Sequence, residues 1–229
     1  MISIILAAGH GTRIRALTGG KPKQMLPIVG EPIITRLLRQ ISAVGATRHF
    51  LSTHTDSALM TDYIQSLSNR YGDAALMPSL PSKGQNLIAL LRMAGPPKED
   101  VVVAMGDIVF HESLVPICKS ALADASRADI CLAVASQANV SSGRQFDLAS
   151  QRVLQKGETF GVPYTGLAVL RPHIGPVLVE LGQRNVFTSM SDAINALLDT
   201  GATASVFDVG EYFDVNTPGV YEQCVSAIR

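Results

Sequence analysis

Residues 4–14 read IILAAGHGTRI. An apolar run, residues 2–7, with Ser3 its one polar member, ends at a small polar turn. A strand that is apolar on both of its faces belongs to a sheet covered on both faces. The turn after it carries Gly9 and Gly11, which let the backbone bend tightly and present its N–H groups. In an open parallel sheet, ligands bind beyond the carboxyl ends of the strands, and this turn lies at such an end. Clustered backbone N–H groups suit anionic oxygens. Arg13 adds a planar fork of donors for the same kind of partner. His10, in the middle of the turn, reads as incidental.

Working outward, the chain alternates short strands with amphipathic helices. Ile33, Ile34, Leu37, Leu38, Ile41 and Val44 follow helical spacing, and Gly45 is placed to end that helix. Further strands are expected at 49–53, 74–77, 101–107, 130–135, 165–170 and 204–207. Helices are expected at 59–67, 87–94, 114–123, 174–181 and 191–198. A last helix begins with Thr217 as N-cap and Pro218 in its first position. Residues 136–165 are less regular and are expected to hold a hairpin. This order predicts an α/β fold: a doubly wound, mostly parallel, Rossmann-like sheet with helices on both faces. No repeat or long linker divides it, so one domain is expected over residues 1–229, with a small β-rich subregion in its second half.

The totals exclude several classes. The 229 residues hold 19 basic and 19 acidic side chains. That balance gives no broad surface for nucleic acid or membrane. No apolar stretch reaches the ~18 residues of a membrane span, and no charged region precedes the first apolar run as in a signal peptide. Cys118, Cys131 and Cys224 show neither CxxC spacing nor an even count, so they read as reduced core residues. A cytoplasmic protein is expected.

Three phosphate-binding patterns compete for the opening turn. A Walker loop requires G-x-x-x-x-G-K-[ST], whereas GGKP at 19–22 places Pro where Ser or Thr belongs. A dinucleotide fingerprint requires a third glycine, and Ile14 stands there. The third pattern has two parts: LAAGHGTR, then KPKQMLPIVGEPII at 21–34. The pair resembles the signature of the nucleotidyltransferase superfamily, which includes the nucleoside-diphosphate-sugar pyrophosphorylases and related cytidylyltransferases. The resemblance runs from Ile2 to about Tyr221. It leaves no room for the left-handed β-helix that many relatives carry, so acyltransferase activity is not expected.

The resemblance implies a set of roles. Leu6, Ala7, Ala8, Gly9, Gly11 and Thr12 would hold the nucleotide. Arg13 and Lys23 would be the catalytic cations, Lys23 at the α-phosphate and Arg13 on the leaving pyrophosphate. Lys21 is either a further phosphate ligand or a solvated surface lysine. Gly106 and Asp107 end the strong strand VVVAMGD at 101–107. The resemblance makes Asp107 a ligand for Mg²⁺, a hard cation that takes oxygen donors from one or two carboxylates plus substrate phosphates. EYFDVNTPGVYE at 211–222 matches the family's late metal segment. It offers Asp214, with Asn216 as an alternative or second ligand.

LPSKGQN at 80–86 falls in the base-recognition region. Gln85 and Asn86 are its candidates, with Gly84 permitting close approach; Asn86 equally suits a helix N-cap. Lys156, Thr165 and Gly166 match the acceptor-binding segment. The halves are thus a nucleotide-binding 1–135 and an acceptor-binding 136–229.

The implied reaction moves a nucleoside monophosphate from a triphosphate to a sugar 1-phosphate and releases pyrophosphate, with Mg²⁺. The alternatives are a CTP-dependent cytidylyltransferase acting on a phosphoalcohol, or a catalytically idle nucleotide-binding relative. The resemblance also leaves room for a homodimer.

Overall fold

The computed structural model describes residues 1–9, 11–54, 58–111, 113–124, 128–139, 144–154, 158 and 161–228. The first half runs β1 (Ile2–Leu6), α1 (Arg15–Thr18), β2 (Pro27–Ile28), β3 (Glu31–Pro32), α2 (Ile33–Val44), β4 (Arg48–Thr53), α3 (Ala58–Tyr71), β5 (Asp73–Pro78), α4 (Lys83–Ala94), β6 (Val101–Met105), β7 (Ile108–Phe110) and α5 (Leu114–Asp124). The second half runs β8 (Ile130–Val134), β9 (Gln137–Asn139), β10 (Arg144–Asp147), β11 (Arg152–Val153), β12 (Val162–Leu170), α6 (Ile174–Arg184), α7 (Met190–Asp199), β13 (Ala204–Asp208), β14 (Glu211–Asp214) and α8 (Pro218–Ala227).

β1 sits at the centre, parallel to β4 on one side and to β6 on the other. Its side chains alternate between two cores. Ile2, Ile4 and Leu6 join α4, α6 and α7 on one face, while Ile5 and Ala7 join α2, α3 and α5 on the other. The period-two geometry of a strand divides one largely apolar run between both faces, and its one polar side chain, Ser3, is paired with His49 at 2.7 Å. α2 follows its predicted span and ends at Gly45, whose φ of 117° lies in the region glycine favours.

The main sheet runs β11-β10-β12-β6-β1-β4-β5, with β8 paired to β12 and β13 to β8. Its first half is parallel. β12 then pairs antiparallel with β6, β8 and β10, so the sheet is mixed. β10 and β11 form the hairpin expected between 136 and 165. A small second sheet, β7-β14-β9, projects from the end of β6.

A third core holds Ile14, Leu26, Ile28, Ile33, Val109, Phe213, Val215 and Cys224. It ties the opening turn to β14 and α8. Ile14, the residue that spoils a dinucleotide fingerprint, is the fully buried anchor of that turn. Thr217 caps α8 by accepting from Val220 N–H at 3.4 Å, with Pro218 in the first turn. No described helix is long and apolar enough to cross a membrane.

Candidate active site

The site lies beyond the carboxyl ends of β1 and β6. The main chains are pinned there, with Gly106 N–H donating to Leu6 C=O at 3.0 Å and Ala7 N–H to Ser52 C=O at 3.1 Å. Gly11 adopts φ 59°, and a Cβ there would lie 3.1 Å from Lys23 Cβ. The opening turn therefore closes over the stem of Lys23, and the missing side chain makes room for that lysine. Gly106 packs against Ala7, where an added Cβ would come within 2.6 Å of the alanine Cβ. His10 and Lys156 lie outside the described residues.

Lys23 is buried and reaches the carboxyl edge of the sheet. Its Nζ donates to Asp107 Oδ2 at 2.5 Å and also to Asn216 Oδ1. The sequence sets Lys23 among cations that would repel one another; the fold instead gives it a carboxylate 84 residues away. Arg13 and Thr12 are exposed on a short 3₁₀ turn. Thr12 and Lys21 line a cleft of about 530 Å³ beside the turn.

Asp107 is 4 % exposed, and its Oδ1 has no hydrogen-bond partner. Burial pushes its carboxyl up, but the ammonium groups of Lys23 and Lys83 outweigh burial and hold it below the usual carboxylate range. Asp214 is the reverse case: burial, then repulsion from Asp107, push it above the usual range, against the pull of Lys23 and Lys83. β14 delivers Asp214 through antiparallel pairing with β7, Asp214 opposite Ile108. Val215 N–H donates to Asp107 C=O at 3.0 Å and locks the two acidic segments together. Asn216 Nδ2 donates to Asp214 Oδ1, so Asn216 bridges the lysine and the second carboxylate. Nothing in the sequence of 208–214 alone announced the strand that performs this placement.

Two clefts flank this cluster. One, of about 380 Å³, is lined by Leu6, Ala8, Gly9, Ser52, Ser82 and Asn86 among others. The other, of about 160 Å³, is lined by Asp107, Asp214, Thr165, Gly166, Ser189 and Tyr212 among others. Thr165 and Gly166 thus share a cleft wall with both carboxylates. Thr165 Oγ1 is spent on backbone, donating to Ala133 C=O at 3.0 Å and accepting from Leu167 N–H at 3.2 Å. Gly166 lets β12 pass Met105, whose Cγ would lie 2.6 Å from an added Cβ.

The α4 entrance differs from the sequence expectation. The helix starts at Lys83, four residues before Leu87, because Ser82 is its N-cap and accepts from Gln85 N–H at 3.2 Å. Asn86 is not the cap. Its amide accepts from Leu80 N–H at 2.9 Å and donates to Leu80 C=O at 3.1 Å and Ser82 C=O at 2.7 Å, bracing the loop that walls the cleft. Gln85 Oε1 is buried without a partner. Gly84 packs on Phe187, whose carbonyl oxygen would lie 2.5 Å from an added Cβ. The close approach it permits is to protein backbone. Sequence reasoning missed Ser52, Ser79, Lys83, Ser189 and Tyr212; Lys83 and Tyr212 lie in stretches read for other residues, and only the folded sheet edge gathers the five.

This arrangement of sheet, turn and buried carboxylates is that of a nucleotidyl-transferring enzyme, and the chain belongs to the nucleotidyl transferase family, whose model matches residues 2–143. A curated relative, UTP–glucose-1-phosphate uridylyltransferase AglF of Haloferax volcanii, is 27 % identical over 231 residues, covering 95 % of this chain and 92 % of the relative. Further curated relatives are longer, and the chain spans only 26–30 % of two of them. Among solved structures, UTP-bound UDP-glucose pyrophosphorylase from Acinetobacter baumannii matches with a TM-score of 0.76 at 19 % identity, over 99 % of this chain and 93 % of that one. The inositol-1-phosphate CTP transferase from T. maritima matches with a TM-score of 0.75 at 18 % identity, over 98 % and 94 %. These likenesses share the fold.

Proposed function

We propose that the protein transfers a nucleoside monophosphate from a nucleoside triphosphate to a sugar 1-phosphate, releasing pyrophosphate, with Mg²⁺. The observation that carries the reading is the convergence of the opening turn, Lys23, Asp107, Asp214 and Asn216 at one sheet edge between two clefts. The full-length relative named for uridylyl transfer to glucose 1-phosphate supports the sugar phosphate as acceptor.

The donor set suits magnesium. Asp107 Oδ1 is a buried, unpartnered oxygen, Asp214 stands close enough to feel its charge, and both are hard ligands. Among the described residues no cluster of three His, Cys, Asp or Glu side chains gathers, which agrees with an ion completing its shell from substrate phosphates. Bound there, the ion would neutralise phosphate charge as the two substrates meet. Asp107 and Asp214 would hold it, with Asn216 beside them.

The remaining chemistry belongs to the chain. A phosphate monoester has a second pKa near ~6, so the acceptor is already ionised at neutral pH and needs no general base. The obstacle is anion meeting anion, and catalysis is positioning and charge neutralisation. The amides of the opening turn would hold the triphosphate in the larger cleft. The smaller cleft, with Thr165 and Gly166 in its wall, would present the acceptor. Lys23 would turn its ammonium from Asp107 to the α-phosphoryl oxygens, leaving both Asp107 oxygens for the ion.

The test is a pyrophosphate-release screen. UTP, CTP, dTTP, GTP and ATP are crossed with sugar 1-phosphates, inositol phosphate and phosphocholine, with Mg²⁺. Release with a sugar 1-phosphate is expected. Release only from CTP with a phosphoalcohol would replace the acceptor assignment, and silence throughout from folded protein would overturn the reading.

A further inference from the structure

Lys83 is the first residue of α4 and lies within LPSKGQN, where the family resemblance gives it no role. It lines the larger cleft beside Gly9 and Ser82, and the smaller one beside Asp107, Gly166 and Asp214. Among the described lining residues it alone is common to both. The two clefts are the seats of the two substrates, so the phosphorus that changes partners must sit where they meet, and Lys83 stands at that junction.

Its electrostatic situation differs from that of Lys23. Lys23 is buried, with two of its three N–H donors committed to Asp107 and Asn216. Lys83 is exposed and makes no ion pair among the described residues. Its charge nevertheless reaches both carboxylates. It also stands at the positive end of a 12-residue helix, where a cation is unfavourable. An arriving anion relieves both the lysine and the unpaired N–H groups of the first helical turn.

We propose that Lys83 is a second catalytic lysine, which contacts the α-phosphate of the triphosphate and the incoming phosphate where the two clefts meet. The assignment rests on the nucleotidyl-transfer reading above. An oxygen of the acceptor phosphate bonds to the α-phosphorus, and the bridging bond to the β-phosphate breaks. Pyrophosphate leaves with that electron pair. Lys83 keeps its proton throughout and supplies charge and hydrogen bonds to the five-coordinate phosphoryl group.

The experiment compares wild type, Lys83→Met and Lys83→Arg. Binding of UTP, CTP, dTTP, GTP and ATP with Mg²⁺ is measured by calorimetry, and turnover by pyrophosphate release on the pair that wild type uses. Lys83→Met should lower kcat about 100-fold, as loss of a charge-stabilising donor does, while each KM moves less than about 10-fold. Lys83→Arg should recover part of the rate, which a merely structural role would not require. The melting temperature should stay within about 2 °C, since an exposed side chain contributes little to stability. A Lys83→Met enzyme with kcat and both KM values within about 3-fold of wild type overturns the proposal. If wild type binds a triphosphate but turns over no pair, the functional reading fails and binding decides Lys83 alone: weakening of about 5-fold or more in Lys83→Met supports it, and unchanged affinity overturns it. If wild type binds no triphosphate, both readings fall.

Discussion

The Lys23–Asp107 pair can be tested without any substrate. Both side chains are nearly closed to solvent, at 4 % and 6 % exposure, and the closest atoms are 2.5 Å apart. Removing one partner of a buried pair costs about 3–5 kcal/mol, because a charge is left uncompensated. Asp107→Asn belongs near the lower figure, since its amide oxygen still accepts from Lys23 and Asp214 remains nearby. Lys23→Met belongs near the upper one, since it leaves two carboxylates facing each other across a buried cluster. The single costs sum to about 8 kcal/mol. The double variant strands neither charge and should lose only about 5 kcal/mol, a coupling of about 3 kcal/mol. For a chain of this size that coupling is a melting-temperature discrepancy of about 6–12 °C from additivity. Thermal unfolding of the four proteins by circular dichroism, with neither nucleotide nor metal present, measures it. Additivity within about 0.5 kcal/mol would falsify the pairing.

Other perturbations separate function from stability. Asp214→Asn should raise the melting temperature at neutral pH. Burial and Asp107 hold the Asp214 carboxyl above its ordinary range, so its ionisation works against the fold; the same variant should lose Mg²⁺-dependent pyrophosphate release, and a lowered melting temperature would contradict the assignment. Gly84→Ala should cost about 1–3 kcal/mol or more, because its Cβ meets main-chain atoms of Phe187 at 2.5 Å, and chemical denaturation should show it. His49 is buried between Ser3 Oγ at 2.7 Å and Tyr71 C=O at 2.8 Å, and burial lowers its pKa. The unfolded chain therefore takes up the proton first. The stability His49 confers is complete above the ordinary histidine range and lost as pH falls through it, and His49→Asn should shrink the drop in melting temperature between about pH 7.5 and 5.5.

Much of this was legible in the sequence because local rules act on neighbouring residues. The period-two division of β1, the helical face of Ile34, Leu37, Leu38 and Ile41, and the Thr217-Pro218 start of α8 each follow from a few adjacent positions. The antiparallel return of β12 does not, because pairing with β6 is decided by packing between distant segments. Nor does β14, whose four residues gain their strand geometry from β7 and β9. At the site, the turn and the two carboxylates lay in recognisable motifs. Lys83 lay in a stretch read for its amides, and only the fold places it in the walls of both clefts. Asn86 was singled out for a polarity that the fold spends internally.

The third core joins Ile14 in the opening turn to Phe213 and Val215, and Lys23 finds Asn216 193 residues further on. Ribosomes add roughly 5–20 residues per second, so about 10–40 s of synthesis separate the lysine from its partner. The opening turn exists as sequence throughout that interval with no wall behind it. A growing chain therefore completes the Lys23 cluster late, after the central parallel strands have emerged, and partly made copies lack the assembled site.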